Sequence, residues 1–270
     1  MIVAGPWVGE FGWELMSWQG WLRRQAKYDQ VVVISRPGHY PIYRDFVPVL
    51  QFIEYDPKCY GNMYEPGPKV PGFDPILLLK EHDDVVVDAA QHYGGDIVRP
   101  SRFIPVSNQD FVKYGTYQTQ LSCDVVIHAR DRSDTPKMHA RNWSRNKWVH
   151  LIDRLRDEGL SVAAIGNRVQ ELDVDFDYRG AHLDKVFDVL ASARLAIGPS
   201  SGPMHLASLC GTPQLVWCEN SRRSYVRDNV HRYKVAWNPL HTRVEVLTSG
   251  GFDPPPETVG DRVLAMLDAP

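Results

Sequence analysis

The chain has 270 residues, 43 % of them hydrophobic and 23 % charged, with a formal net charge of −3. This is the make-up of a globular protein with a sizeable core, and it argues against a surface coated for nonspecific nucleic-acid binding. The longest apolar runs, such as DPILLL and CDVVIHA, are far too short to cross a bilayer as a helix, and the first residues lack the basic region and apolar core of a signal peptide; no transmembrane segment and a cytoplasmic location are expected.

In chain order the pattern is strand and helix in alternation. MIVA opens a strand, WELMSWQGWLRRQAKY spaces its aromatic and aliphatic residues as a helix does, and QVVVIS is a β-branched run suited to a parallel strand buried on both faces. Residues 37 to 75, rich in Pro, Gly and Tyr, read as loop with a short helix near Tyr40 to Val47. VVVDAA and the segment to Pro100 are expected to continue the first sheet, and a polar stretch over 106 to 120 separates it from the second half of the chain. That second half alternates regularly: strand CDVVIHA, a helix over Asn146 to Glu158, strand SVAAIG, helix LDKVFDVLASA, strand RLAIG, helix PMHLASLC, strand PQLVWC, and a last amphipathic helix in PPETVGDRVLAMLD. The expected architecture is α/β, with two Rossmann-like βαβ domains at residues 1–118 and 119–252 facing a cleft. Cys59, Cys123, Cys210 and Cys218 show no Cys-x-x-Cys spacing, which favours buried reduced thiols over a disulfide framework or zinc site.

The most informative segment is Leu195 to Thr212, LAIGPSSGPMHLASLCGT. A buried strand runs into a turn of Gly198, Ser200, Ser201 and Gly202, and Pro203 suits a first helical position. Free N–H groups of the first helical turn, at the positive end of the helix dipole, suit a phosphate or pyrophosphate. His205 falls in that turn.

The residues GPSSGPMHLA, followed by GTP, resemble the donor-binding segment of the ADP-heptose:lipopolysaccharide heptosyltransferases and related GT-B glycosyltransferases, whose usual pattern is Asp-Ser-Gly-Pro-x-His. Ser200 stands where that family has Asp. The similarity extends upstream through RGAHLDKVFDVLASARLAIG and covers the C-terminal half best. It implies a GT-B fold, with the helix at 253–270 crossing back onto the first domain, and a nucleotide-diphosphate sugar as donor substrate in place of any cofactor. Ser200, Ser201, Gly202, Pro203 and His205 then belong to the donor site.

HARDRSDTPKMHARNWSRNK carries six Lys/Arg against two Asp directly after a predicted strand, and RRSYVRDNVHRYK carries five against one. Strand ends in such folds line the ligand site, so His128, Arg130 and Arg132 are expected there, with Arg141, Arg145 and Lys147 following. Fixed cations beside a departing diphosphate lower the barrier more than they tighten ground-state binding. The heptosyltransferases have a basic residue just before a Trp and helix here; Arg141 and Lys147 compete for that position, with Lys147 favoured. Asn167 and Arg168, at the next strand end, are candidates for the nucleoside or sugar.

The first domain is expected to hold the acceptor and the base. GPWVGEFGWELM runs from the first strand through a Gly-rich turn into a helix, with Glu10 and Glu14 flanking the turn. Carboxylates suit a helix start for the dipole alone; a functional carboxylate would accept the proton of an attacking hydroxyl. The resemblance implies a base in this loop, matched by Glu10 or by Glu14, in that order. Trp7, Trp13 and Trp18 are either a platform for a sugar or part of the core. Asp173, Asp175 and Asp177 resemble an Asp-x-Asp metal motif, but a polar edge strand accounts for them better, and no metal site is expected. His39, His92, His139 and His182 are scattered and suggest no ligand set.

The reading is thus an inverting, metal-independent glycosyltransferase acting on a hydroxyl acceptor. A glycan or glycolipid acceptor ranks ahead of a hydroxymethylated nucleic-acid base. The alternative is a noncatalytic nucleotide-sugar or glycan-binding protein.

Overall fold

The computed structural model describes residues 1–56, 75–100, 103–131, 141–168, 171–219 and 229–269, in two compact units, Met1–Phe111 and Val112–Pro270. Cys59, Arg132, His139 and most of the second basic run lie outside the described residues.

The first unit is built on a four-stranded sheet of Ile2–Ala4 (β1), Val31–Ser35 (β2), Phe52–Glu54 (β3) and Asp96–Val98 (β4), ordered β3-β2-β1-β4. All its pairings are parallel, Ile2 facing Val31 on one side and Asp96 on the other. Every residue of β2 is buried, as a central parallel strand covered on both faces requires. The helix expected over residues 13–28 is divided into Phe11–Ser17 (α1) and Gln19–Gln25 (α2) at Trp18, where φ is −134° and ψ −62°. Trp18 is buried and its ring stacks on Trp7 and Trp21, with centroids 6.0 and 5.6 Å away. Seating that ring outweighs unbroken helix hydrogen bonding. Trp7 and Trp18 are therefore core.

VVVDAA is not a strand: it lies within a helix, Pro75–Tyr93 (α3). Val86, Ala89 and Tyr93, at helical spacing, pack on Val3, Val32 and Ile34 of the sheet, whereas Val87 is exposed. The β-branched run carries a strand propensity, yet its burial follows a helical period, and the period prevails. The segment after it does supply β4.

The second unit carries a six-stranded sheet of Cys123–His128 (β5), Val162–Ile165 (β6), Phe176–Asp177 (β7), Ala193–Pro199 (β8), Gln214–Trp217 (β9) and Val244–Leu247 (β10). The order is β10-β9-β8-β5-β6-β7, again parallel throughout. The chain winds outward from β5 through β6 and β7, then returns to β8 on the other side, so the order reverses between β5 and β8. Open parallel sheets bind ligands outside the carboxyl ends of strands at such a switch point. Helices Arg145–Asp157 (α4), Leu183–Ser192 (α5), Gly202–Cys210 (α6) and Asn229–Val235 (α7) accompany the strands. Ser144 caps α4, its hydroxyl accepting from the Lys147 N–H.

Three indoles, Trp143, Trp148 and Trp217, meet in the core of this unit with centroids 4.7 to 5.6 Å apart. Trp217→Ala is expected to cost about 3–5 kcal/mol through transfer and cavity terms. A urea midpoint unchanged from the parent would show that the cluster is not a stability element.

The final helix, Pro256–Asp268 (α8), is the one that the resemblance sends back to the first domain. Its buried residues Val259, Val263 and Met266 belong to the core of the second unit, with Leu151, Leu155 and Leu195. Arg154 of α4 fastens it, donating to the Glu257 carbonyl at 2.7 Å and the Asp261 carboxylate at 2.5 Å. The unit boundary also falls a few residues before 118. Tyr114 stacks on Phe187 at 4.8 Å, and the Thr116 and Gln118 backbone N–H groups bond Asp188 and Ser192, so this polar stretch is committed to the second unit.

Candidate functional site

In the second unit the site begins with the turn after β8. The Ser200 N–H donates to the Trp217 carbonyl at 2.9 Å, tying the turn to the end of β9. Ser201 takes the N-cap position of α6 in extended conformation, but its hydroxyl donates back to the Pro199 carbonyl at 2.9 Å instead of capping the helix. The helix start therefore has no side-chain cap, with Gly202 and Pro203 in its first turn.

Arg141 reaches this turn and donates to the Ser200 carbonyl, its guanidinium lying 4.8 Å above the Phe252 ring. Arg130 is buried just after β5 and donates to the Asn142 side-chain oxygen. Ser200 is buried, and its hydroxyl accepts from the Tyr233 hydroxyl at 3.2 Å; a neutral hydrogen bond thus occupies the position where the resemblance implies a carboxylate.

Two histidines complete the arrangement. His205 packs on Trp237 and Tyr233, with centroids 4.7 and 5.7 Å away. His128, at the end of β5, is flanked by the ends of β6 and β8. A Cβ on Gly166 would stand 2.8 Å from its Nδ1, and one on Gly198 would stand 3.2 Å from its Cβ and carbonyl oxygen. Gly166 also has a positive φ of 102°, so glycine there meets both a backbone and a space requirement. Burial, opposed by a backbone hydrogen bond at Ile165 and aided by Arg130 and Arg141, pushes His128 down to about 4. Burial, then Arg141 and Arg232, pushes His205 down to about 3. Both rings are neutral near pH 7, and both Nδ1 atoms are buried without a hydrogen-bond partner. Such atoms are rare in native proteins and ask for an explanation.

The other candidates of this unit fall elsewhere. Lys147, favoured over Arg141 from the sequence, directs its ammonium to the Asp253 carboxylate at 2.6 Å and to the Asp253 and Pro254 carbonyls, clipping the segment before α8. Arg141 reaches the turn at the Ser200 carbonyl, whereas the Lys147 ammonium is taken up by Asp253. Asn167 and Arg168 are exposed beyond β6, and Arg168 donates to the Arg179 carbonyl at 2.8 Å. Asp173 and Asp175 pair with Arg156, and Asp177 pairs with Arg179, so this acidic run is an ion-paired sheet edge. Among the described residues no group of three His, Cys, Asp or Glu side chains is arranged to hold a metal ion.

In the first unit the loop after β1 and the residues after β2 form a second polar cluster. Glu10 is the N-cap residue of α1 and partly exposed; its carbonyl accepts from the Trp13 and Glu14 N–H groups. Glu14 is fully enclosed. One carboxylate oxygen accepts from Ser35 Oγ at 2.5 Å and Tyr43 Oη at 2.7 Å, and the other lies 2.7 Å from His39 Nδ1. Burial by itself would raise the Glu14 pKa, but His39, Arg36 and Ser35 together hold it below the usual carboxylate range. Enclosed as it is, the Glu14 carboxylate meets these partners and not solvent. His39 is the functional candidate that the sequence does not single out: a lone histidine after a Pro-Gly turn carries no local signal of a carboxylate 25 residues earlier.

This architecture is similar to that of ADP-heptose lipopolysaccharide heptosyltransferase II from E. coli, with a TM-score of 0.57 and 15 % identity over 98 % of both chains. It is also similar to a family 9 glycosyltransferase from Veillonella parvula, with a TM-score of 0.59 and 11 % identity over 98 % of this chain and 96 % of that one. At such identities the likeness is one of fold: the chain has the two-sheet Rossmann-like α/β fold of GT-B glycosyltransferases. No sequence-family model and no curated protein sequence matches it, and no helix among the described residues is long and apolar enough to cross a membrane.

Proposed function

We propose that this protein is a glycosyltransferase that moves a sugar from a nucleoside-diphosphate donor to a hydroxyl acceptor. The carrying observation is the Ser200–Pro203 turn, an uncapped helix start gripped by Arg141 beside two buried neutral histidines with unpartnered Nδ1 atoms. Backbone N–H groups and the helix dipole favour a pyrophosphate. Arg130 and Arg141 offset the charge that grows on the leaving diphosphate, the service a divalent ion gives in metal-dependent enzymes. Neutral imidazoles offer hydrogen bonds there without adding charge.

The acceptor oxygen attacks the anomeric carbon while the bond to the diphosphate breaks, which inverts the configuration in a single displacement. Its proton leaves to a base at the carboxyl ends of β1 and β2, where Glu10 lies at the surface and Glu14 beneath it. The acceptor class that suits a family with this fold is a glycan or glycolipid; a hydroxymethylated nucleic-acid base ranks behind it, and a cytoplasmic setting suits nucleotide sugars.

Calorimetric titration of a panel of nucleoside diphosphates and their sugars tests the donor site. At least one should bind the parent, and Gly202→Val, which adds a branched side chain at the helix start, should abolish that binding while thermal unfolding remains cooperative. Equal affinity in parent and variant would put the pyrophosphate elsewhere.

A further inference from the structure

We propose that His39 is the general base of the transfer and that Glu14, buried behind it, is its positioning residue; this rests on the glycosyltransferase assignment. The Glu14 carboxylate is enclosed, ionised and fully engaged by Ser35, Tyr43 and His39. Being ionised, it can only accept, so the hydrogen between it and His39 belongs to the imidazole Nδ1. In the neutral form of the ring, that arrangement leaves the Nε2 lone pair to receive a proton. The His39 side chain is 16 % exposed and its ring makes a T-shaped contact with Phe11 at 5.4 Å, so the ring is held by Phe11 and Glu14 while part of it reaches solvent. Both residues stand at strand ends of the first sheet, Glu14 in α1 after β1 and His39 just after β2.

A purely architectural role explains this arrangement less well. The buried carboxylate is paired with an imidazole, and the attraction becomes a full ion pair only when that imidazole is protonated. The pair is therefore strongest after the proton has moved, which is the differential stabilisation catalysis requires. Among the described residues, other titratable or charged groups of these elements are Arg36, whose guanidinium donates to the Val8 and Gly9 carbonyls, Tyr43, Glu10 next to Phe11 in the chain, and Glu54, whose carboxylate accepts the Gly38 N–H at 3.0 Å. In the step itself Nε2 takes the hydroxyl proton as the oxygen bonds to the anomeric carbon. The electron pair of the broken glycosyl bond leaves on the diphosphate, and the imidazolium later returns its proton to solvent.

The test uses the full chain with a panel of ADP-, UDP- and GDP-sugars, water serving as acceptor, and reads release of the free nucleoside diphosphate. His39→Gln should lower kcat by a hundredfold or more with donor affinity within about twofold of the parent. Glu14→Gln should lower kcat by about tenfold with the donor KM unchanged, and Glu14→Asp, which keeps the carboxylate, should recover part of the loss. A merely structural Glu14 would show no such split between kcat and KM and no recovery by Glu14→Asp, and thermal unfolding checks that each variant folds. His39→Gln within twofold of parental kcat, or a loss confined to Glu10→Gln, overturns the proposal while the donor site stands. A parent that binds a nucleotide sugar without turning it over overturns it likewise; a parent that binds none overturns the glycosyltransferase assignment too.

Discussion

Arg141→Ala is expected to reduce turnover of the best nucleotide sugar by a hundred- to a thousandfold and to weaken donor binding less than that. The guanidinium grips the Ser200 carbonyl and lies next to the helix start, so in the proposed donor site it is fixed in advance where negative charge would grow as the diphosphate departs. A cation so placed acts chiefly on the transition state. Lys147→Ala provides the contrast. Its ammonium is bound to Asp253, whose side chain is 67 % exposed, and a surface pair of this kind contributes about 0–1 kcal/mol to stability. That variant should lower the melting temperature slightly and leave the chemistry far less affected than Arg141→Ala does. Steady-state kinetics with calorimetry on both variants decides the matter. Turnover of Arg141→Ala within a factor of two of the parent would remove the guanidinium from the reaction.

The second large effect is on stability below neutral pH. His128 and His205 are depressed to about 4 and about 3 by burial and the neighbouring arginines, whereas in the unfolded chain a histidine titrates near 6.5. The unfolded state therefore takes up protons first on acidification, so the contribution of both residues is fully present above about pH 6.5 and is lost progressively as pH falls. Each histidine gives a slope of roughly 1.4 kcal/mol per pH unit in that window, on the order of 5 kcal/mol for the pair by pH 4. Glu14 adds a loss in the same direction at lower pH, because its depressed carboxylate must be protonated there. Urea unfolding of the parent between pH 7 and 4.5 should show the decline, and His205→Gln should flatten it by about half. A midpoint independent of pH across that range would mean that the two rings are not buried in neutral form.

The turn after β8 was legible in the sequence because everything that defines it is local. The apolar run of β8, two serines between glycines, and Pro203 at the helix start each act within a few residues of one another, and the structure has them as expected. The regular alternation of the second half, from β5 to α8, follows from the same short-range periodicity, which is dictated by the geometry of helix and strand.

What the tertiary structure alone decided involves partners distant in sequence. The VVVDAA run became the face of α3 because Val86 and Ala89 found the first sheet to pack on, and the helix broke at Trp18 because its ring found Trp7 and Trp21. The final helix settled on α4 through Arg154, which lies far from Asp261 along the chain. That Arg141 meets Ser200 while Lys147 meets Asp253 is likewise something no spacing reveals. Glu10 and Glu14 look alike in sequence, yet only Glu14 is enclosed by Ser35, Tyr43 and His39. Local pattern fixed the turn after β8 and the alternation of the second half; where the first helix breaks and which side chain is buried or ionised depend on long-range contacts that exist only once the sheets have formed.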